Sequence, residues 1–477
     1  MRRGANSATL PSVRARTWFD LLSILTAVAS SAFVARAQAT SPRSAAAAAS
    51  SAPSPPRAPD AVPDDVPVSG ELRSASEPAD PAREVANVVL YLPRVAIDLL
   101  FVTSGAAAGL LEDEQVIPRL EDTFYTADHA IGVFPTAFVE TGFNPNIGAR
   151  MLASAGDYAA TIRAGYGGID SNIVESRIRT TTVTPVLGAL SFEALHDRQT
   201  NLGYVGLGPV PESDPRNVFQ PGSGLRGGAY RQVRERLIVN FGFRPAADAE
   251  LLLSTSYRRR RIDDAPGAGQ AALGAVFVPG DLPGAFRLNR STYSEVAIRY
   301  DTRVHRGPPT RGWMVEGYAG ALRGIKSGDG DGSAFGGRAA AFIPIYRVSN
   351  ILSPRIEIDT MFPGNPAAFP FYDYAAPTEF RGIDPRRDRI AAIASLDYRW
   401  VVMKYVAARL FMDSATVARD FSSLDLHAVR YAWGMGMDLH SSSAEIARVG
   451  ASVSPQGFRF FLSLGVAPSG FGDRQHR

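Results

Sequence analysis

Tyr431-Ala-Trp-Gly-Met-Gly-Met-Asp-Leu439 alternates at every position. On an extended chain Tyr431, Trp433, Met435, Met437 and Leu439 share one face, and Ala432, Gly434, Gly436 and Asp438 share the other. Phe458-Arg-Phe-Phe-Leu-Ser-Leu464 repeats the pattern, with Phe458, Phe460, Leu462 and Leu464 set against Arg459 and Ser463. A period of two marks strands with one apolar face. That face meets a core in a soluble sandwich and lipid in a membrane barrel, so alternation alone fits both.

Extending outward, the same period predicts strands near 133–142, 145–154, 157–166, 172–182, 186–196, 235–245, 248–259, 292–302, 313–323, 334–345, 352–361, 390–400, 405–414, 428–439, 444–454 and 457–465. Long connections at 197–234, 260–291, 324–333, 362–389 and 415–427 alternate with mostly short ones. Long loops at one rim and tight turns at the other are the habit of outer-membrane barrels. An even strand number also returns both ends of the barrel to one side. The predicted fold class is therefore all-β, a transmembrane antiparallel barrel of about sixteen strands over 131–477.

The 477 residues are 45% hydrophobic with a mean hydropathy of −0.05. Beyond the N-terminal region no apolar run reaches the roughly 20 residues that a spanning helix needs. A net charge of +3 is too small to argue for nucleic acid. The absence of cysteine excludes disulfide scaffolds, thiolate metal sites and cysteine nucleophiles. The six histidines form no paired-ligand spacing, and no nucleophile-elbow motif is present. Lys326-Ser-Gly-Asp-Gly-Asp-Gly332 lacks the bidentate glutamate of a calcium loop and reads as a hydrophilic loop tip. No catalysis, metal or cofactor is predicted.

Before the barrel, residues 1–39 read as an export signal. Arg2, Arg3, Arg14 and Arg16 are basic, Leu21–Val34 is apolar, and small residues follow at Ala35, Ala37 and Ala39. Residues 40–81 are rich in Ala, Ser and Pro, a composition too poor in large apolar residues to order itself. Residues 82–130 contain an apolar stretch at helical spacing (Leu92, Val95, Ala96, Leu99, Leu100) broken by Arg94 and Asp98, which predicts an amphipathic helical segment, either interfacial or the packed core helix of a small periplasmic domain.

The stretch from Thr378 to Val466 resembles the bacterial surface antigen superfamily of BamA/TamA-like barrels. Phe380-Arg381-Gly382-Ile383 matches that family's sixth-loop [V/I/F]-R-G-[F/Y] motif, with Ile383 in place of the aromatic residue. Asp397-Tyr398-Arg399 resembles the acidic pattern of the next strand, and Phe411-Met-Asp413-Ser-Ala415 resembles the F-x-D-x-G of the one after, without its glycine. Asn201-Leu-Gly-Tyr-Val-Gly-Leu-Gly208 followed by Asp214-Pro-Arg216 is similar to a third-loop stretch of the family. The resemblance implies a loop folded back into the lumen, with Arg381 paired to Asp413 and Asp397 close by. It implies a place in the bacterial outer membrane and a role in inserting or translocating polypeptide, or lipid, through a seam between first and last strands. The region before the barrel is too short and too low in complexity for the family's POTRA repeats, so the alternative of a passive channel or structural barrel stays open. Expected partners are outer-membrane lipids, with unfolded outer-membrane proteins or other barrel-assembly components as further candidates, but no nucleic acid. Finally, Arg258, Arg259, Arg260 and Arg261 end a strand at the outer rim, a run that fits either contact with lipid phosphates or a solvated rim.

Overall fold

The computed structural model describes residues 123–464 apart from 127, 129, 141–144, 170, 181–187, 266–269, 304–308, 327, 346–348, 404–405 and 441–444. The expected signal segment 1–39, the linker 40–81 and nearly all of the expected helical segment 82–130 lie outside the described residues.

The strands run in order as β1 (Ile131–Glu140), β2 (Asn146–Ala155), β3 (Tyr158–Tyr166), β4 (Asn172–Thr180), β5 (Ala189–Tyr204), β6 (Gly228–Ala246), β7 (Ala249–Asp264), β8 (Ala271–Ala272) and β9 (Leu288–Asp301). They continue as β10 (Gly312–Gly324), β11 (Gly332–Pro344), β12 (Asn350–Thr360), β13 (Phe362–Pro363), β14 (Ile390–Met403), β15 (Val406–Ala418), β16 (Arg430–His440), β17 (Glu445–Ser454) and β18 (Gly457–Leu464). Two of these, β8 and β13, are two-residue additions that stitch loops to the upper ends of β6 and β11. The other sixteen form the wall. Each wall strand pairs antiparallel with the next, and β1 pairs with β18, so the sheet closes on itself. Connections 205–227, 265–287 and 361–389 all leave the same rim.

Alternation sorts the side chains as the sequence requires. In β16 Tyr431, Trp433 and Met435 are exposed, Trp433 at 62%, whereas Ala432 and Asp438 are buried. Val133, Phe192, Leu253, Ile298, Val315, Ile356 and Phe458 are also exposed, Ile298 at 65%. Glu193, Asp197, Glu250, Glu295, Arg299, Glu316 and Asp413, in turn, are buried. Apolar residues outside and charges inside reverse the order of a water-soluble protein. This is a transmembrane β-barrel, and the choice that alternation left open is settled by which face is exposed.

The interior charges are tolerable because they are paired. Arg299 of β9 donates to Glu250 of β7 at 3.0 Å and to Glu316 of β10 at 2.6 Å, and Arg338 of β11 reaches Glu316 at 3.0 Å. One carboxylate between two guanidiniums, repeated from strand to strand, ties the wall laterally as the backbone ladder does.

Three strands exceed the span that alternation predicts by four residues or more. β5 has 16 residues, β6 has 19 and β7 has 16, so the expected connections 197–234 and 260–291 shrink to 205–227 and 265–287. Their outer ends rise past the apolar belt. There the exposed face need not be apolar, so the signal fades while the ladder continues. Its outward residues instead form cross-strand ion pairs such as Arg259–Glu235 at 2.9 Å. A bulge at Gln199/Leu202, with Asn201 at φ 63°, lets β5 bend there.

Substituting Met435, on the outward face near the middle of β16, by arginine should cost about 2–4 kcal/mol of barrel stability in bilayers, and Tyr431→Arg near the rim about 0–1. Urea unfolding of liposome-folded protein, followed by tryptophan fluorescence, measures both; equal costs would place the lipid belt elsewhere.

Candidate functional site: an arginine-anchored loop in the lumen

The connection 361–389 turns back into the barrel. Its Phe380 is buried against Ile393, Ala415 and Ala432, inward residues of β14, β15 and β16. Gly382 follows at a point where a Cβ would come within 2.6 Å of the Phe380 ring and 2.8 Å of Ala432, so no larger residue fits without displacing them.

Between them Arg381 is held from every side. Its Nε donates to Asp413 Oδ2 at 2.8 Å and its Nη2 to Oδ1 at 2.5 Å. Nη1 and Nη2 also reach the two oxygens of Asp397 at 2.6 and 3.0 Å. The Arg381 backbone N–H adds a 2.9 Å bond to Asp413, and the guanidinium lies 3.7 Å over the Phe411 ring. Two bidentate carboxylates and an aromatic face use the planar fork in full, which a lysine could not do. Asp413 is fully buried, and its charge is compensated by these bonds.

The network continues around the wall. Arg409 lies 3.6 Å from Asp397 and is hydrogen-bonded to Asp438, which Arg448 reaches at 3.2 Å. Sequence reasoning missed two further anchors. Ser452 of β17 donates to the Arg381 carbonyl at 2.6 Å, and Arg459 of β18 donates to the carbonyls of Phe380 and Gly382 at 2.9 and 2.6 Å. The only signal for them was their inward parity on the last two strands.

A second set of contacts closes the rim. Leu207, Phe277, Phe369 and Phe371 from three loops pack on Tyr204, Tyr230, Tyr293 and Leu322, inward residues of the strands. Arg216 joins Asp388 through two 2.8 Å bonds and also binds Asp214. Burial alone would lower the Arg216 guanidinium, but the bonds to Asp388 and Asp214 outweigh it and raise it; burial would likewise raise Asp214, and Arg216 holds it below the usual carboxylate range. Gly206 and Gly208 stand at φ 112° and 93°, where the glycine-rich stretch turns to meet Arg387.

Strand alternation divides the Arg258–Arg261 run. Arg258 and Arg260 point inward and share Asp373 of the returning loop at 2.8 and 3.2 Å, Arg260 stacking over Tyr372. Arg259 and Arg261 point outward, beside Glu235 at 2.9 Å and Asp263 at 3.0 Å. Among the described residues no group of His, Asp or Glu side chains could hold a metal ion.

No protein-family model matches the chain, and no curated protein matches it in sequence. Among solved structures it is similar to BamA from Haemophilus ducreyi lacking POTRA domains 1–3, at 12% identity over 70% of each chain with a TM-score of 0.48. It is similar also to CdiB from Escherichia coli, at 9% identity over 70% of this chain and 62% of that one, TM-score 0.45. A third is CdiB from Acinetobacter baumannii, at 7% identity over 70% of this chain and 60% of that one, TM-score 0.43.

Two outcomes follow from the anchors. Arg381→Ala and Asp413→Asn should each expose the connection 361–389 to protease, and in a double-mutant cycle their destabilisations should be coupled by about 1–3 kcal/mol; additive effects would mean the two do not act as a pair. Asp373→Asn leaves Arg258 and Arg260 buried without their shared counter-charge, at a cost of about 3–5 kcal/mol. It should raise single-channel conductance in planar bilayers by loosening the packed loops at the rim.

Proposed function

We propose that this chain is a bacterial outer-membrane barrel of the BamA/TamA type, which assists insertion or translocation of polypeptide at the membrane through the seam between β1 and β18. The observation that carries the reading is the coupling of the anchored loop to that seam. Among the described residues β1 and β18 share four paired positions, from Ala137–Leu464 to Glu140–Phe461, the shortest ladder in the wall. The strand that makes this weak closure is the one whose Arg459 holds Phe380 and Gly382.

A short ladder is the cheapest place to part a closed sheet. Once parted, β1 and β18 each offer a row of unpaired N–H and C=O groups to an incoming strand, and β-augmentation would follow. The internal loop keeps β14 to β18 in shape meanwhile, so an open seam need not unravel the wall. The partners in this reading are outer-membrane lipids and unfolded barrel proteins. Outward Arg259 and Arg261 sit where lipid phosphates would be met, though each already has a carboxylate beside it.

The chain has no cysteine, so the seam can be locked cleanly. Phe138→Cys with Ser463→Cys joins two residues that are register partners. In liposomes the reduced double variant should speed folding of a model barrel substrate, and the oxidised form should not. Equal rates with and without the lock, or no acceleration by the unmodified protein alongside steady ion conductance, would make it a passive barrel.

A further inference from the structure

Like charges placed directly across a ladder are destabilising. Yet Arg150 of β2 and Arg163 of β3 are register partners, both on the lumen face. Arg150 is 8% exposed, and the Nε of each arginine is buried with no hydrogen-bond partner. Thr136 of β1, one position along the same face, is 2% exposed, and its hydroxyl is also unpartnered.

The surrounding charges do not resolve the conflict. Glu175 of β4 is the register partner of Arg163, but it lies 3.7 Å from the Arg177 guanidinium. Arg177 donates to Glu193 at 2.7 Å, and Arg236 lies 3.9 Å from the same Glu193. Among the described residues neither Arg150 nor Arg163 forms an ion pair with a carboxylate, so two positive charges meet on one patch of lumen wall without a close counter-charge. Elsewhere in the wall Glu316 and Asp438 each stand between two arginines. Here, among the described residues, the two facing arginines have no carboxylate between them.

We propose that Arg150 and Arg163, with the Thr136 hydroxyl, form a binding site for a phosphate group. A carboxylate matches the fork of one guanidinium, whereas a tetrahedral phosphate offers enough oxygens to bridge two and can carry the two negative charges the patch lacks. The phosphate of a lipid headgroup and free inorganic phosphate share this chemistry. The site lies on the second and third strands from the seam. The proposal stands whether or not the seam handles polypeptide.

The test uses the full-length barrel in detergent micelles, titrated with inorganic phosphate by calorimetry, and the same protein in phosphatidylglycerol nanodiscs analysed by native mass spectrometry. Closed barrels are first verified by heat-dependent gel migration. Phosphate should bind the unmodified protein and raise its melting temperature. Arg150→Gln and Arg163→Gln should each weaken binding at least tenfold, and without phosphate Arg163→Gln should melt higher than the unmodified protein because the repulsion is gone. Should a glutamine variant not close, Arg163→Lys keeps the charge, loses the fork and should still weaken binding. Retention of phosphatidylglycerol that is lost in the variants, without binding of free phosphate, would identify the headgroup as the source. Unchanged binding in the variants would overturn the proposal, as would failure of the unmodified protein to bind either probe. Capture of a poly-glutamate peptide in place of phosphate would overturn it too.

Discussion

A sheet standing in hydrocarbon must close, because an open edge would leave backbone N–H and C=O groups with nothing to bind. Every other feature of this barrel is shaped by that demand. Closure forces one face of all sixteen wall strands inward, around a space too wide for apolar side chains to fill. The chain fills it with charge, and charge in such a place must be matched. Hence the recurring unit of the lumen, a buried carboxylate held by two guanidiniums from neighbouring strands, as at Glu316 and Asp438.

The returning loop is an extension of the same chemistry. Arg381 completes a constellation that Asp397 and Asp413 begin, and without it two carboxylates on adjacent strands would face each other partly dehydrated. The loop is thus part of the interior and not an ornament on its rim. At Arg150 and Arg163 two guanidiniums meet across the ladder and, among the described residues, no carboxylate stands between them, which sets that patch apart from the Glu316 and Asp438 units.

Much of this was legible in the residues. Period-two alternation located all sixteen wall strands to within a few residues where they cross the apolar belt, since lipid on one side and charge on the other enforce it. It failed above the belt, on β5, β6 and β7, where water on the outside removes the constraint. The Phe380-Arg381-Gly382 motif was readable because its three residues are contiguous and each is sterically or electrostatically particular. Arg459, Ser452 and the Arg216–Asp388 tie were not, because each joins segments far apart in sequence by geometry that only the closed barrel creates. The Arg258–Arg261 run looked like one basic cluster, and the pleat divides it into two pairs with different surroundings.

The connection 361–389 is fastened at widely separated stations: Asp373 to β7, Asp388 to Arg216 of another loop, and Arg381 to β14 and β15, with Arg459 of β18 gripping its backbone. Mechanically it is a tie-beam spanning a thin-walled cylinder. A cylinder of paired strands flattens easily into an ellipse, and a beam fixed at opposite walls stiffens it along one diameter only. Deformation is then steered to the direction the beam leaves free, and any strain applied at the last strand is felt across the bore at the seventh.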